Sequence, residues 1–257
     1  MLKHEGVDEL GFILTVRNET VQPEFQALVD DVIATLSSQI GNSIHSIYLY
    51  GSIAHGDAVI RSADLDVTIV LFQAASVDED RLIKSMRRIL QDVHPEVVKI
   101  DFDIGVLANV TAPHMADSWG YWLKHHCRCI WGTDLASSFA LFKPSKAIAL
   151  AVNGDFDEVL NGYAGQIENA SDQIEVQHLK RAAARKLIRA TNILRSDSEQ
   201  SWPQNLNSYV DLFLKSYPAM ADSISYFLAE ANGTHGIPDE FVKRLRSFSH
   251  WLRVQHQ

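Results

Sequence analysis

The sequence predicts an α+β chain in two parts, and three observations carry that prediction. Strand-like and helix-like patterns interleave as far as about Leu141. Two strands, near 64–71 and 97–107, alternate so that apolar residues share one face and aspartates the other. From Phe142-Lys143-Pro144-Ser145 onward only helical spacing remains. The boundary is therefore placed near Leu141, dividing 1–141 from an all-α bundle at 142–257.

Composition sets the outer limits. The 257 residues can bury a full core, and 46% hydrophobic with 21% charged is an ordinary globular balance. There is no run of about twenty apolar residues of the kind that spans a bilayer. Met1-Leu2-Lys3-His4-Glu5 lacks a signal peptide's apolar core, so a cytoplasmic protein is expected. The formal net charge of -9 gives no basic footprint for a nucleic-acid backbone.

Taken in order, residues 1–19 show little pattern and read as an irregular arm. From Val21 to Ile40 the positions Phe25, Leu28, Val29, Val32, Ile33, Leu36 and Ile40 recur at helical spacing, with Pro23 in the first turn and Gly41-Asn42 as the stop. A strand follows from Ile44 to Tyr50 and ends at Gly51-Ser52. Residues 52–55 can form one helical turn, which Gly56-Asp57 breaks. The next strand, Asp64-Leu65-Asp66-Val67-Thr68-Ile69-Val70-Leu71, puts Leu65, Val67, Ile69 and Leu71 on one face and Asp64, Asp66 and Thr68 on the other. Asp78 is expected to cap a helix through Val93, with Leu82, Met86, Leu90 and Val93 inward and Lys84, Arg87 and Arg88 in solvent. The third strand, about 97–107, has an apolar face of Val98, Ile100, Phe102, Ile104 and Val106. Lys99, Asp101, Asp103 and Gly105 share its opposite face. A helix with Trp119, Trp122 and Leu123 is expected over 112–126, then a short strand from Cys127 and the turn Gly132-Thr133-Asp134-Leu135.

The stretch from Ile47 to Leu71 carries the chemistry. Two carboxylates on one strand face, aimed at a glycine-serine turn, make a site for a divalent cation and a phosphate. Hard oxygen ligands suit magnesium, which keeps several waters and shares its remaining positions with substrate phosphates. Backbone amides after Gly51 can receive phosphate oxygens. The matching parity of the third strand supplies a further carboxylate, Asp101 or Asp103.

Leu49-Tyr50-Gly51-Ser52 followed by Asp64-Leu65-Asp66 resembles the signature of the nucleotidyltransferase superfamily, which includes DNA polymerase beta and antibiotic-modifying nucleotidyltransferases. The resemblance implies a small mixed sheet flanked by helices. It also implies that Asp64, Asp66 and a third aspartate bind metal and catalyse. Lys99-Ile100-Asp101-Phe102-Asp103 is similar to the run that carries the third carboxylate in polymerase beta-like members, which favours Asp101 over Asp103. Gly51 and Ser52 would grip the terminal phosphates of ATP or another nucleoside triphosphate, with Mg2+ as cofactor. The implied reaction moves AMP to a hydroxyl of a small acceptor and releases pyrophosphate. A single such domain followed by a helical bundle is most similar to the aminoglycoside and lincosamide adenylyltransferases, so antibiotic resistance is the expected role. Two other readings stay open: a tRNA or RNA end-modifying enzyme, and a non-catalytic nucleotide-binding partner of toxin-antitoxin type.

In the second part, helices are expected over about 145–167, 175–195, 206–215, 219–231 and 238–254. Arg181, Arg185 and Arg189 recur four apart, with Lys180 and Lys186 nearby. Guanidinium forks suit phosphate oxygens, so Arg181 and Arg185 are candidates to clamp the triphosphate; the alternative is a solvated helix face. Aromatics such as Trp202, Phe213, Phe227, Phe241 and Phe248 are expected in the bundle core, and the bundle is expected to choose the acceptor. Cys127 and Cys129 have poor zinc spacing and read as buried reduced thiols.

Overall fold

The computed structural model describes residues 4–16, 20–234 and 236–256. The chain divides into two compact units, one of Leu14–Phe142 that carries the sheet, and one that joins the segment ending at Ile13 to Lys143–Gln257. The sequence reading put 1–13 with the sheet domain. Main-chain bonds tie this segment to the helical unit instead: Trp202 N donates to Glu5 O at 2.8 Å, and Val7 and Ile13 bridge across the turn between them. Of the irregular arm expected at 1–19, residues 1–3 and 17–19 lie outside the described residues.

The sheet unit runs α1 (Pro23–Ile40), β1 (Ile44–Tyr50), α2 (Gly51–His55), β2 (Leu65–Leu71), α3 (Val77–Val93), β3 (Ile100–Val106), α4 (Leu107–Val110), α5 (Tyr121–His125) and β4 (Arg128–Gly132). The strand order is β3-β2-β1-β4. β1 is antiparallel to β2 and β4, and β2 is parallel to β3, so the sheet is mixed. Alternation explains its two faces. Ile47 and Leu49 of β1, with Leu65, Val67, Ile69 and Leu71 of β2, are buried against Phe25, Leu28, Val32 and Leu36 of α1 and Ile83, Met86 and Leu90 of α3. Each such side chain contributes about 1.5–3 kcal/mol when withdrawn from water.

The opposite face is covered only in part. Tyr48 and Val70 pack with Val110, Leu123 and Cys127, and Trp119 and Trp122 close the cluster. The cover comes from a segment that the sequence read as one helix over 112–126. It is broken into a 3-10 turn, a π-helical turn at Ala116–Gly120 and α5. A side chain on Gly120 would strike the Phe139 ring at 2.7 Å, so glycine lets that ring pack directly against this segment.

Other boundaries shifted for local reasons. The cap of α3 is Ser76, not Asp78: Glu79 N donates to Ser76 Oγ at 3.2 Å and Ser76 N donates back to Glu79 at 2.9 Å. Val93 is exposed rather than inward, and Ile83 takes the buried position. Arg87 is not simply solvated, since its Nη1 donates to Ile100 O at 3.1 Å. β3 lies at the sheet edge, so Ile104 is exposed although it belongs to its apolar face; Val98, expected on that face, precedes the strand and is exposed as well. Cys127 is buried, Cys129 half-buried, and both are free thiols; burial pushes the Cys129 thiol up to about 11.

The helical unit contains α6 (Lys146–Asn153), α7 (Phe156–Asn169), α8 (Gln173–Ala190), α9 (Leu206–Ser216), α10 (Ala221–Ala231) and α11 (Pro238–His256). The expected helix over 145–167 is two helices, parted at Gly154-Asp155. Leu160, Ala183, Leu187, Phe213, Phe227, Phe241 and Phe248 fill its core. Lys180, next to the arginine row, is buried rather than solvated. It is 2% exposed and pairs at 2.9 Å with Glu230, also 2% exposed, while donating to Gly236 O at 2.6 Å. Among the described residues, no helix is long and apolar enough to cross a membrane.

Removing one partner of a buried pair strands the other charge. Lys180→Met is expected to cost about 3–5 kcal/mol in urea unfolding, and adding Glu230→Leu should restore most of that loss.

Candidate active site

β2 and β3 set the geometry by register. Leu65 lies beside Ile100, Asp66 beside Asp101 and Thr68 beside Asp103. Neighbours in a parallel pair project to the same side of the sheet. On the other flank, Tyr50 lies opposite Asp66 and Tyr48 opposite Thr68. Asp66, Asp101, Asp103, Tyr48 and Tyr50 therefore share one face, with Asp64 just ahead of β2. The apolar cover buries Tyr48 and Val70 fully and Tyr50 in part. It leaves Asp64, Asp66 and Asp101 half-buried and Asp103 exposed.

The Gly51-Ser52 turn closes this face. Gly51 has φ +72°, a backbone region that disfavours any side chain, and a β-carbon there would overlap the Asp66 carboxylate. Glycine is thus required twice, by the turn and by the approach of Asp66. The chain then enters α2, and Gly56, at φ +77°, ends it. The first-turn amides of such a helix have no internal partner, and this set lies directly beside the carboxylate.

Electrostatics single out Asp66. Burial raises its carboxyl from 3.8 to about 7, and the neighbouring Asp64, Asp101 and Asp103 carboxylates push the same way, against the pull of Lys99. The flanking aspartates have cationic or hydroxyl partners: Lys99 Nζ is 2.7 Å from Asp101 Oδ2, and Tyr50 Oη donates to Asp103 Oδ2 at 2.5 Å. Burial, then the bond to Asp103, raises the Tyr50 phenol far above its usual range, so it stays a donor. Trp122 meets the Tyr50 ring edge-on at 5.0 Å and stacks on His126 at 5.1 Å.

Among the described residues, no three His, Cys, Asp or Glu side chains are gathered as a metal cage. Magnesium does not require one, because it binds through one or two carboxylates and completes its shell with water and phosphate. An oxygen-only set in which burial, and then the neighbouring carboxylates, raise Asp66 fits a dication, and Asp64 and Asp66 would hold it.

The sequence brought Asp64, Asp66, Asp101, Gly51 and Ser52 into view, and the structure places all five in the sheet unit at this face and turn. Arg181 and Arg185 lie on α8 of the helical unit, Arg181 exposed and Arg185 half-buried. Sequence reasoning passed over Tyr50 as one more apolar strand residue. Its parity with Asp66 across the β1–β2 pair was the available signal.

No protein-family model matches the chain, and no curated protein matches it. A solved structure does match in fold: the crystal structure of spectinomycin adenyltransferase AAD(9) from Enterococcus faecialis with ATP and spectinomycin. The likeness covers 90% of this chain and 98% of that one, at 12% identity and a TM-score of 0.57. The chain therefore has the nucleotidyltransferase fold.

The raised Asp66 carboxyl has a stability consequence. Below about pH 4 folded and unfolded chains both carry the proton, and no penalty exists. As pH rises toward 7 the unfolded chain releases it first, so stability falls. Asp66→Asn should match the parent near pH 4 and exceed it by up to about 4 kcal/mol at pH 8, read from melts across pH without divalent cations. Adding Mg2+ at pH 8 should stabilise the parent and not the variant.

Proposed function

We propose that the chain is a magnesium-dependent adenylyltransferase that moves AMP from ATP to a hydroxyl of a small-molecule acceptor and releases pyrophosphate. The observation that carries this reading is the apposition of Asp66 to the Gly51 turn, with Asp101 beside it in register. Asp64 and Asp66 would hold Mg2+, which would supply Lewis-acid neutralisation of the triphosphate charge. Gly51 and Ser52 offer main-chain donors to its terminal phosphates. Asp101, one strand away from Asp66, would complete a second metal site or accept the proton of the attacking hydroxyl. Arg181 and Arg185 enter as phosphate-binding residues on the chemistry of the guanidinium alone.

The acceptor is read as an aminoglycoside-like antibiotic, supported by the fold shared with a spectinomycin adenyltransferase, and such modification would confer resistance. The helical unit is read as the part that chooses this acceptor. ATP as co-substrate fits a cytoplasmic location. The net charge of -9 weighs against a polynucleotide acceptor.

Incubation with labelled ATP, Mg2+ and a panel of aminoglycosides and aminocyclitols, then with tRNA, tests this reading. Label is expected on a small molecule. Label on RNA, or Mg2+-dependent ATP binding without turnover, would overturn it. Asp66→Ala should lower turnover at least about a hundredfold while leaving a cooperative melt.

A further inference from the structure

The Gly51-Ser52 turn and the aspartates at the start of β2 are joined by α2 and a loop, and a side chain from outside that segment fixes the loop. After α2 the chain closes back on its own turn: Gly56 N and Asp57 N both donate to Ser52 O, at 2.9 and 3.2 Å. The next residue, Ala58, is held on both main-chain groups by the Gln22 amide. Ala58 N donates to Gln22 Oε1 at 3.0 Å, and Gln22 Nε2 donates to Ala58 O at 3.2 Å. Glutamine offers a donor and an acceptor side by side, which is what one main-chain residue needs. Ala58 is 8% exposed, so without the amide both groups would lose their partner where water hardly reaches.

Gln22 is itself held in place. It directly precedes α1, Pro23 stiffens the first helical turn, and Phe25 and Leu28 of that helix are fully buried. The far end of the loop is tied elsewhere: Arg61 N donates to Glu96 O at 2.7 Å, and Val98 N to Ala63 O at 2.9 Å. Between these ties Val59, Ile60, Arg61 and Ser62 stand in solvent. Of the ties, Gln22 is the one nearest the turn. We propose that Gln22 is a positioning residue for nucleotide binding: through Ala58 it holds the Gly51-Ser52 turn at a fixed spacing from Asp64 and Asp66. The inference rests on that turn being the phosphate-binding element proposed above. A loop ordered before the ligand arrives spares binding the cost of ordering it.

The test measures, by calorimetry well below the melting transition, the affinity for a non-hydrolysable ATP analogue with Mg2+. Gln22→Met keeps the length of the side chain and removes both bonds to Ala58. Ile40→Val, at the far end of α1, loosens the same core without touching the loop. Gln22→Met is expected to bind at least about tenfold more weakly than the parent, and its Ala58 amide to exchange with deuterium faster. Ile40→Val is expected to melt lower and to bind as the parent does. Unchanged affinity or unchanged Ala58 exchange in Gln22→Met, or a loss of affinity matched by Ile40→Val, would overturn the role of Gln22 and leave the proposed site standing. A parent that shows no Mg2+-dependent binding of the analogue would sink the site and this inference together.

Discussion

Mutual repulsion among carboxylates is the constraint on which the sheet unit turns. Asp64, Asp66, Asp101 and Asp103 would separate if the chain allowed it. They are held together because residues on the reverse side of the same strands are locked into a core. Leu65, Val67 and Ile69 are fully buried, and each alternates with a residue of the polar face. A slip of one residue would move that apolar set into water and the aspartates into the core. The register that creates the repulsion is therefore the register that hydrophobic burial enforces.

The remaining features limit that repulsion without removing it. Lys99 takes Asp101 and the Tyr50 hydroxyl takes Asp103, which leaves Asp66 as the carboxylate with the strongest call on a cation. Gly51 lets the main chain come against Asp66 where any side chain would push it away. Trp119 performs the matching task at depth: a β-carbon on Gly105 would meet it at 3.0 Å, so the aromatic cover settles onto β3 just beyond the acidic end. One sheet face is thereby divided into a dry half and a half open to ligand.

Much of this was legible in the alternation of 64–71 and 97–107, because a strand's two faces are written in its odd and even positions. The parallel pairing of Asp66 with Asp101 was not, since register between separate strands depends on the α3 crossover and not on local pattern. The exposure of Ile104 followed from β3 lying at an edge, a property of strand order that no single segment encodes. The burial of Lys180 was not legible for a similar reason. Helical spacing put it near an arginine row, and only the arrival of Glu230 from a helix about fifty residues later makes its burial tolerable. Ser76 was missed as a cap because Asp78 offered a similar oxygen two residues later. The reciprocal Glu79 bond decides between them.

The central claim is that the acidic face and the Gly51 turn form one receptor for a metal-bound nucleotide. It is tested most directly by backbone amide spectra of labelled protein with ATP and substoichiometric Mn2+, an ion that broadens resonances near its binding place. Resonances of Gly51, Ser52, Asp64 and Asp66 should fade first. Loss that starts elsewhere, or spreads evenly over the spectrum, would contradict the account.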